Sequence, residues 1–207
     1  MNKQVLTLAE VAPRMQPGDL ILWESTSSKW DILGRAFSRL IRASGRTRYC
    51  HVDMLARKDD KPGGAWTLLG MLEEGGRGTP LMDEVAAYPG RLAWYRTNPD
   101  GRWREGVGEE FCRDRAVRCM RQLLPGRYGW RAIGRMARFH LAFVRLFFQP
   151  DFNDESPRRG RPVCSTAVAE AIHYGGVDPV LELADADTEP GDLARTHFFR
   201  YQGHLSP

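Results

Sequence analysis

The stretch RYCHVDMLAR, residues Arg48 to Arg57, decides how this chain reads. It sets a cysteine, Cys50, directly beside a histidine, His51. A thiol and an imidazole together are the working pair of a cysteine hydrolase. The stretch alternates as a strand does, and successive side chains on a strand point to opposite faces. Cys50 then lies with Val52 and Met54, and His51 with Asp53 and Leu55. A thiol facing away from the imidazole cannot pass it a proton. Cys50 therefore reads as a small buried hydrophobe, and a nucleophile for His51 has to come from elsewhere in the chain.

Other strands flank this one. DLILW (Asp19–Trp23) follows a Pro-Gly turn, WTLLGMLEE begins at Trp66, and RLAWYRT runs from Arg91 to Thr97. Their spacing predicts a small antiparallel sheet. SKWDILGRAFSRLIRAS carries Trp30, Leu33, Phe37, Leu40 and Ile41 at helical spacing, which predicts a helix from about Ser28 to Ala43. The second half is helical. EEFCRDRAVRCMRQLL places Phe111, Val117, Met120 and Leu124 among charges, with Cys112 and Cys119 on one face. YGWRAIGRMARFHLAFVRLFF has a basic and an apolar side, which suits a core-packing helix or one lying on a membrane surface. After the polar loop QPDFNDESPRRGRP, the segment VCSTAVAEAIHYGG predicts a short helix that stops at Gly175. The tetrapeptide PGDL occurs at Pro17–Leu20 and at Pro190–Leu193 and reads as two turns. A last strand falls around FFRYQ. The class is α+β, in one domain over residues 1–207.

Composition narrows the function. Net charge is only +4, so the arginine clusters at Arg42–Arg48, Arg127–Arg145 and Arg158–Arg161 allow an anionic ligand or surface but make no case for nucleic acid. The start of the chain lacks a signal-peptide apolar core, and no segment approaches the ~18 apolar residues of a membrane span, so a cytoplasmic protein is expected. Four cysteines without a CxxC pair argue against a disulfide framework and a structural zinc site. No cofactor or metal is expected.

Cys164 is the thiol with a chemical position. It stands at the start of the last predicted helix, just after a Pro-bearing loop. First-turn amides there have no intrahelical partner, and the helix dipole favours thiolate over thiol. The same amides can donate to a developing oxyanion. A base is still needed. His173 is nine residues along the same helix, about 13 Å away at 1.5 Å per residue, too far for proton transfer. His140, His197 and His204 are weaker candidates. His51, on a strand, suits a helix packed across a sheet.

These residues resemble the permuted papain-like hydrolases, circularly rearranged relatives of the NlpC-type cell-wall peptidases that include YiiX-like proteins and lecithin–retinol acyltransferase-like enzymes. The matching pieces are PGDLILW, YCHVDML, GTPL, YPGRLAWYRT, RYGW and VCSTAVAEAI, in that order, from about Pro17 to Tyr174. Histidine first and cysteine late is the permuted arrangement. The pattern TPL, YPGRL and PGDLA also looks like phage-borne variants. The resemblance implies Cys164 as nucleophile, His51 as general base and a polar orienting residue on the next strand. The ungapped family position of that third residue holds Met71, which cannot orient an imidazole. Glu73 shares its face and is the expected orienting residue, with Glu74 and Asp53 as alternatives.

Three readings follow from the resemblance. The first is a cysteine amidase or peptidase acting on peptidoglycan-type peptides. The second is a lipid amide or ester hydrolase, or acyltransferase, that meets a membrane through the Arg135–Phe148 region. The third is a binding or structural protein that keeps the scaffold without catalysis.

Overall fold

The computed structural model describes residues 4–24, 47–61, 63–72, 74–98, 111–126, 163–181 and 183–207. In chain order the elements are β1 (Val5–Thr7), α1 (Leu8–Val11), β2 (Leu20–Glu24), β3 (Tyr49–Arg57), β4 (Trp66–Leu72), β5 (Gly75–Pro80), α2 (Leu81–Ala87), β6 (Arg91–Thr97), α3 (Arg113–Leu123), α4 (Cys164–Tyr174), α5 (Pro190–Arg195) and β7 (Phe199–Ser206). Short 3-10 turns occupy Ala12–Arg14, Lys58–Asp60 and Asp185–Asp187. The helix predicted over Ser28–Ala43 and the basic stretch through Arg135–Phe148 lie outside the described residues.

Among the described residues, seven strands form one sheet in the order β1-β7-β6-β2-β3-β4-β5. The expected small antiparallel sheet is corrected to a mixed one, because β1 runs parallel to β7, Val5 opposite His204. Sequence patterning misses β1 because a three-residue strand with one buried side chain, Leu6, carries no readable period.

Alternation sorts the sheet into two cores. Leu20, Leu22, Val52, Met54, Ala56, Leu69, Met71 and Ala93 face the α3–α4 layer, where Val117, Met120, Ala167, Val168, Ala171 and Ile172 meet them. Ile21, Leu55, Leu68, Leu92 and Trp94 face the other way, onto Leu8, Val11, Leu81 and Val85 of α1 and α2. Val168 and Ile172 have no exposed surface. Full burial of such side chains stabilises by about 1.5–3 kcal/mol each. Helix α4 is thereby pressed against β3 and β4.

The two PGDL tetrapeptides share one bond and build different structures. In each, the Asp carboxylate accepts from the backbone N–H three residues earlier: Gln16 to Asp19 at 3.1 Å, and Glu189 to Asp192 at 2.9 Å. The first copy is the expected turn into β2. The second is corrected from a turn to the opening of α5, with Pro190 at its first position, where a fixed φ and a missing N–H cost a helix nothing. Asp19 is fully buried. It also receives Trp94 Nε1 (3.1 Å), the Thr97 N–H (3.1 Å) and Arg113 Nη1 (2.9 Å). Burial raises its pKa, and the Arg113 guanidinium opposes that rise. This carboxylate ties β2, β6 and α3 into one corner.

Candidate functional site

Cys164 is the first residue of α4, as its sequence context predicts. The preceding Val163 is extended (φ −98°, ψ 178°), and its N–H donates to Thr166 Oγ1 at 2.8 Å, which fixes where the helix begins. At the far end Gly175 closes the helix through its N–H to Ala171 O (3.1 Å), and Gly176 takes the positive φ of 109° that turns the chain away. The Cys164 side chain sits among buried residues at 3% exposure. First-turn N–H groups of a helix have no carbonyl four residues back, so those of Cys164, Ser165 and Thr166 point out of the helix start. The Ser165 hydroxyl is also buried and has no hydrogen-bond partner among the described residues.

His51 lies on β3 opposite Trp23 of β2. The β2–β3 register slips there: Trp23 pairs with His51, but Glu24 pairs with Tyr49. Cys50 is the extra residue, and this corrects its assignment to the core. Its thiol is half-buried and donates to the Trp23 carbonyl at 3.4 Å. A bulge of this kind was invisible to an alternation argument, which assumes an unbroken period of two.

The His51 ring holds a carboxylate. Its Nε2 is 2.7 Å from Asp53 Oδ1, two residues along β3. Trp23 Nε1 donates to the other oxygen, Asp53 Oδ2, at 2.7 Å, and the Trp23 and His51 rings meet edge to face at 5.6 Å. Asp53 is 4% exposed, so both oxygens are held in a low-dielectric setting where such bonds are strong. Gly70 of β4 completes the enclosure. A Cβ there would stand 1.7 Å from Asp53 Oδ1 and 3.4 Å from His51 Nε2. The carboxylate occupies the space a side chain would need.

The residues considered for the orienting role fall into different places. Met71 is fully buried in the core beneath α3 and α4. Glu74 is exposed in the turn between β4 and β5. Glu73 lies outside the described residues. Asp53, the remaining alternative, is the carboxylate on the imidazole. Neither Trp23 nor Gly70 was singled out by sequence reasoning. A glycine inside an otherwise apolar strand was the available signal, since it marks a close approach.

Electrostatics link His51 to Cys164. Burial by itself lowers the His51 pKa. The charges of Asp53 and Cys164, and hydrogen bonds to both, outweigh it and raise the pKa well above 6.5. An imidazole raised on folding stabilises the native state fully below about pH 6.5, and that contribution is lost as pH rises through the folded value. His51 is expected to keep its ring proton above pH 6.5 in an NMR titration, with a lower midpoint in Asp53→Asn. A wild-type midpoint at or below 6.5 would contradict the coupling, as would a midpoint indifferent to Asp53→Asn.

Of the histidines set aside on sequence, His173 and His204 are engaged elsewhere, and His140 lies outside the described residues. His173 pairs with Asp185 at 3.1 Å. His204, buried on β7, joins Glu24 Oε1 through Nε2 (2.7 Å) and the Tyr201 hydroxyl through Nδ1 (2.6 Å). Arg48 Nε also reaches Glu24 Oε1 at 2.9 Å, and Arg48 donates to the Tyr49 hydroxyl, which meets that of Tyr95 at 2.8 Å. This second polar network, missed in the sequence, fastens the open ends of β2, β3 and β7 next to His51.

A scan against protein-family models and a search of curated proteins gave no match. Among solved structures, the metalloprotein YiiX from Escherichia coli O157:H7 is similar at a TM-score of 0.47 and 15% identity, over 93% of this chain and 98% of its own. Among the described residues no group of three or more His, Cys, Asp or Glu side chains is placed to hold a metal ion, and no helix is long and apolar enough to cross a membrane.

Proposed function

We propose that this protein is a cysteine hydrolase of permuted papain-like type, built as one domain, that cleaves amide bonds in peptidoglycan-type peptides. The observation that carries the reading is the His51 imidazole, bonded to the Asp53 carboxylate and coupled to the Cys164 thiol at a helix start. The ordered sequence pieces from PGDLILW to VCSTAVAEAI support it independently.

In this reading Nε2 of His51 is committed to Asp53, which leaves Nδ1 for the sulfur. Cys164 attacks the amide carbonyl as a thiolate, and the S–C bond forms. First-turn amides of α4 stabilise the oxyanion. The C–N bond breaks as the imidazolium gives its proton to the departing amine. Water then adds to the thioester, His51 takes a proton from it, and the acid is released with the thiol regenerated. Asp53 fixes the ring and stabilises its charged form, while Trp23 fixes Asp53. This assignment replaces Glu73 in the orienting role. It also removes the argument from Met71 for a scaffold without catalysis, since orientation does not depend on that position.

Alkylation with iodoacetamide under native conditions tests the nucleophile. Cys164 is expected to be modified ahead of Cys50, Cys112 and Cys119, and His51→Ala is expected to slow that modification. Equal labelling of all four thiols, mapped by peptide mass, would defeat the proposal.

A further inference from the structure

A second site lies at the other end of β3. A cleft of about 570 Å³ opens between the β3–β4 connection and the first turns of α3, with Arg57, Lys61 and Arg118 around it, one acid, Asp114, and Pro17 and Val117 as apolar wall. This volume falls within the range of small-ligand pockets. From His51 to Arg57 is six strand residues, roughly 20 Å at ~3.3 Å per residue, so the cleft is separate from the Cys164 centre.

The Arg57 guanidinium is fixed before any ligand arrives. It stacks on the Trp66 ring at 3.5 Å, and its Nη1 donates to Gly64 O at 2.7 Å. Its own carbonyl is held by Arg121 Nη2 at 2.7 Å. An arginine has five N–H donors, so most remain for an anion. Lys61 and Arg118 are exposed and make no ion pair among the described residues. Asp114 and Arg118 are four apart on α3, a spacing that permits a helix salt bridge, yet none forms between them.

We infer that this cleft binds a phosphate monoester of a small organic molecule. Among the described lining residues, three cations against one carboxylate leave a surplus of two positive charges, which matches a phosphate dianion better than a single carboxylate. A fixed arginine suits the fork geometry of phosphate oxygens. Val117 and Pro17 give the organic part an apolar surface.

The test is titration of the full chain at low salt with inorganic phosphate and with phenyl phosphate, followed by NMR or calorimetry. Saturable binding is expected, tighter for phenyl phosphate, and roughly tenfold or more weaker in the double variant Lys61→Gln/Arg118→Gln, because charge-assisted hydrogen bonds are lost. Both substituted side chains are exposed, so an unchanged near-ultraviolet spectrum certifies the fold. Asp114→Asn is expected to tighten binding. Phosphatidic acid vesicles, set against phosphatidylcholine vesicles, distinguish the source of the phosphate: binding to the former assigns a lipid headgroup, and its absence beside phenyl phosphate binding assigns a free solute. No saturable binding of either soluble probe would overturn the inference, and so would equal affinity in the double variant.

Discussion

Cys164→Ala is expected to abolish amide hydrolysis, with a loss of roughly 10³-fold or more, while the protein stays folded. Removing the nucleophile of a cooperating set costs about as much as removing the whole set. His51→Ala is expected to fall as far, because no other described group bonded to Asp53 could replace the imidazole. The structural cost is small. Cys164 occupies the first position of α4, and replacing it with alanine removes one sulfur from a helix start already fixed by Val163 and Thr166. Cys50→Ala is the control. Its thiol bonds the Trp23 carbonyl rather than the ring beside it in sequence, and near-wild-type turnover is expected. The assay is release of amine from short peptidoglycan-type peptides, with circular dichroism to certify folding. Wild-type rates in both Cys164→Ala and His51→Ala would end the case for catalysis at this site.

The adjacent Cys50 and His51 show where sequence reasoning holds and where it stops. Alternation parts the two side chains on local backbone geometry, and the Cys50 thiol does bond the Trp23 carbonyl. The same alternation sent Cys50 into the core, and a bulge at that residue denied the outcome. The bulge arises from the pairing of β2 with β3, a relation between segments about thirty residues apart. The carboxylate bonded to His51 has the same origin. Counting along β4 points to Met71 or Glu73, whereas the bond comes from Asp53 on β3 itself, and it exists because Trp23 and Gly70 from two other strands shape the space for it.

Gly70→Ala is expected to be the most damaging small substitution outside the reacting groups. Its Cβ would fall 1.7 Å from Asp53 Oδ1 and 2.8 Å from Asp53 Cγ. Asp53 cannot yield without losing either its 2.7 Å bond to His51 or its 2.7 Å bond to Trp23. A displacement of about 1 Å in a catalytic group costs on the order of 10²-fold in rate. Forcing a methyl into a filled site destabilises by roughly 1–3 kcal/mol. The kinetic effect should fall on kcat, with a lowered His51 titration midpoint, because the loss is one of orientation. A double-mutant cycle separates this from general damage: in an Asp53→Ala background the added methyl has room, and the further cost of Gly70→Ala should nearly vanish. Additive losses would show that Gly70 acts on the fold and not through Asp53.

By itself the sequence determined the α+β class of the structure and that Cys164 opens a helix. Hydrophobic period, turn residues and a cysteine at a helix start are all local, so β2, β3, β4, β6, α3 and α4 were legible, and Cys164 stood out by its position alone. The tertiary structure decided what His51 touches, which carboxylate holds it, and that Cys50 is a bulge. Those are contacts among Trp23, His51, Asp53, Gly70 and Cys164, which come from three strands and a helix. Strand pairing brings them within bonding distance, and register is fixed by the burial of whole strands rather than by any residue in the site.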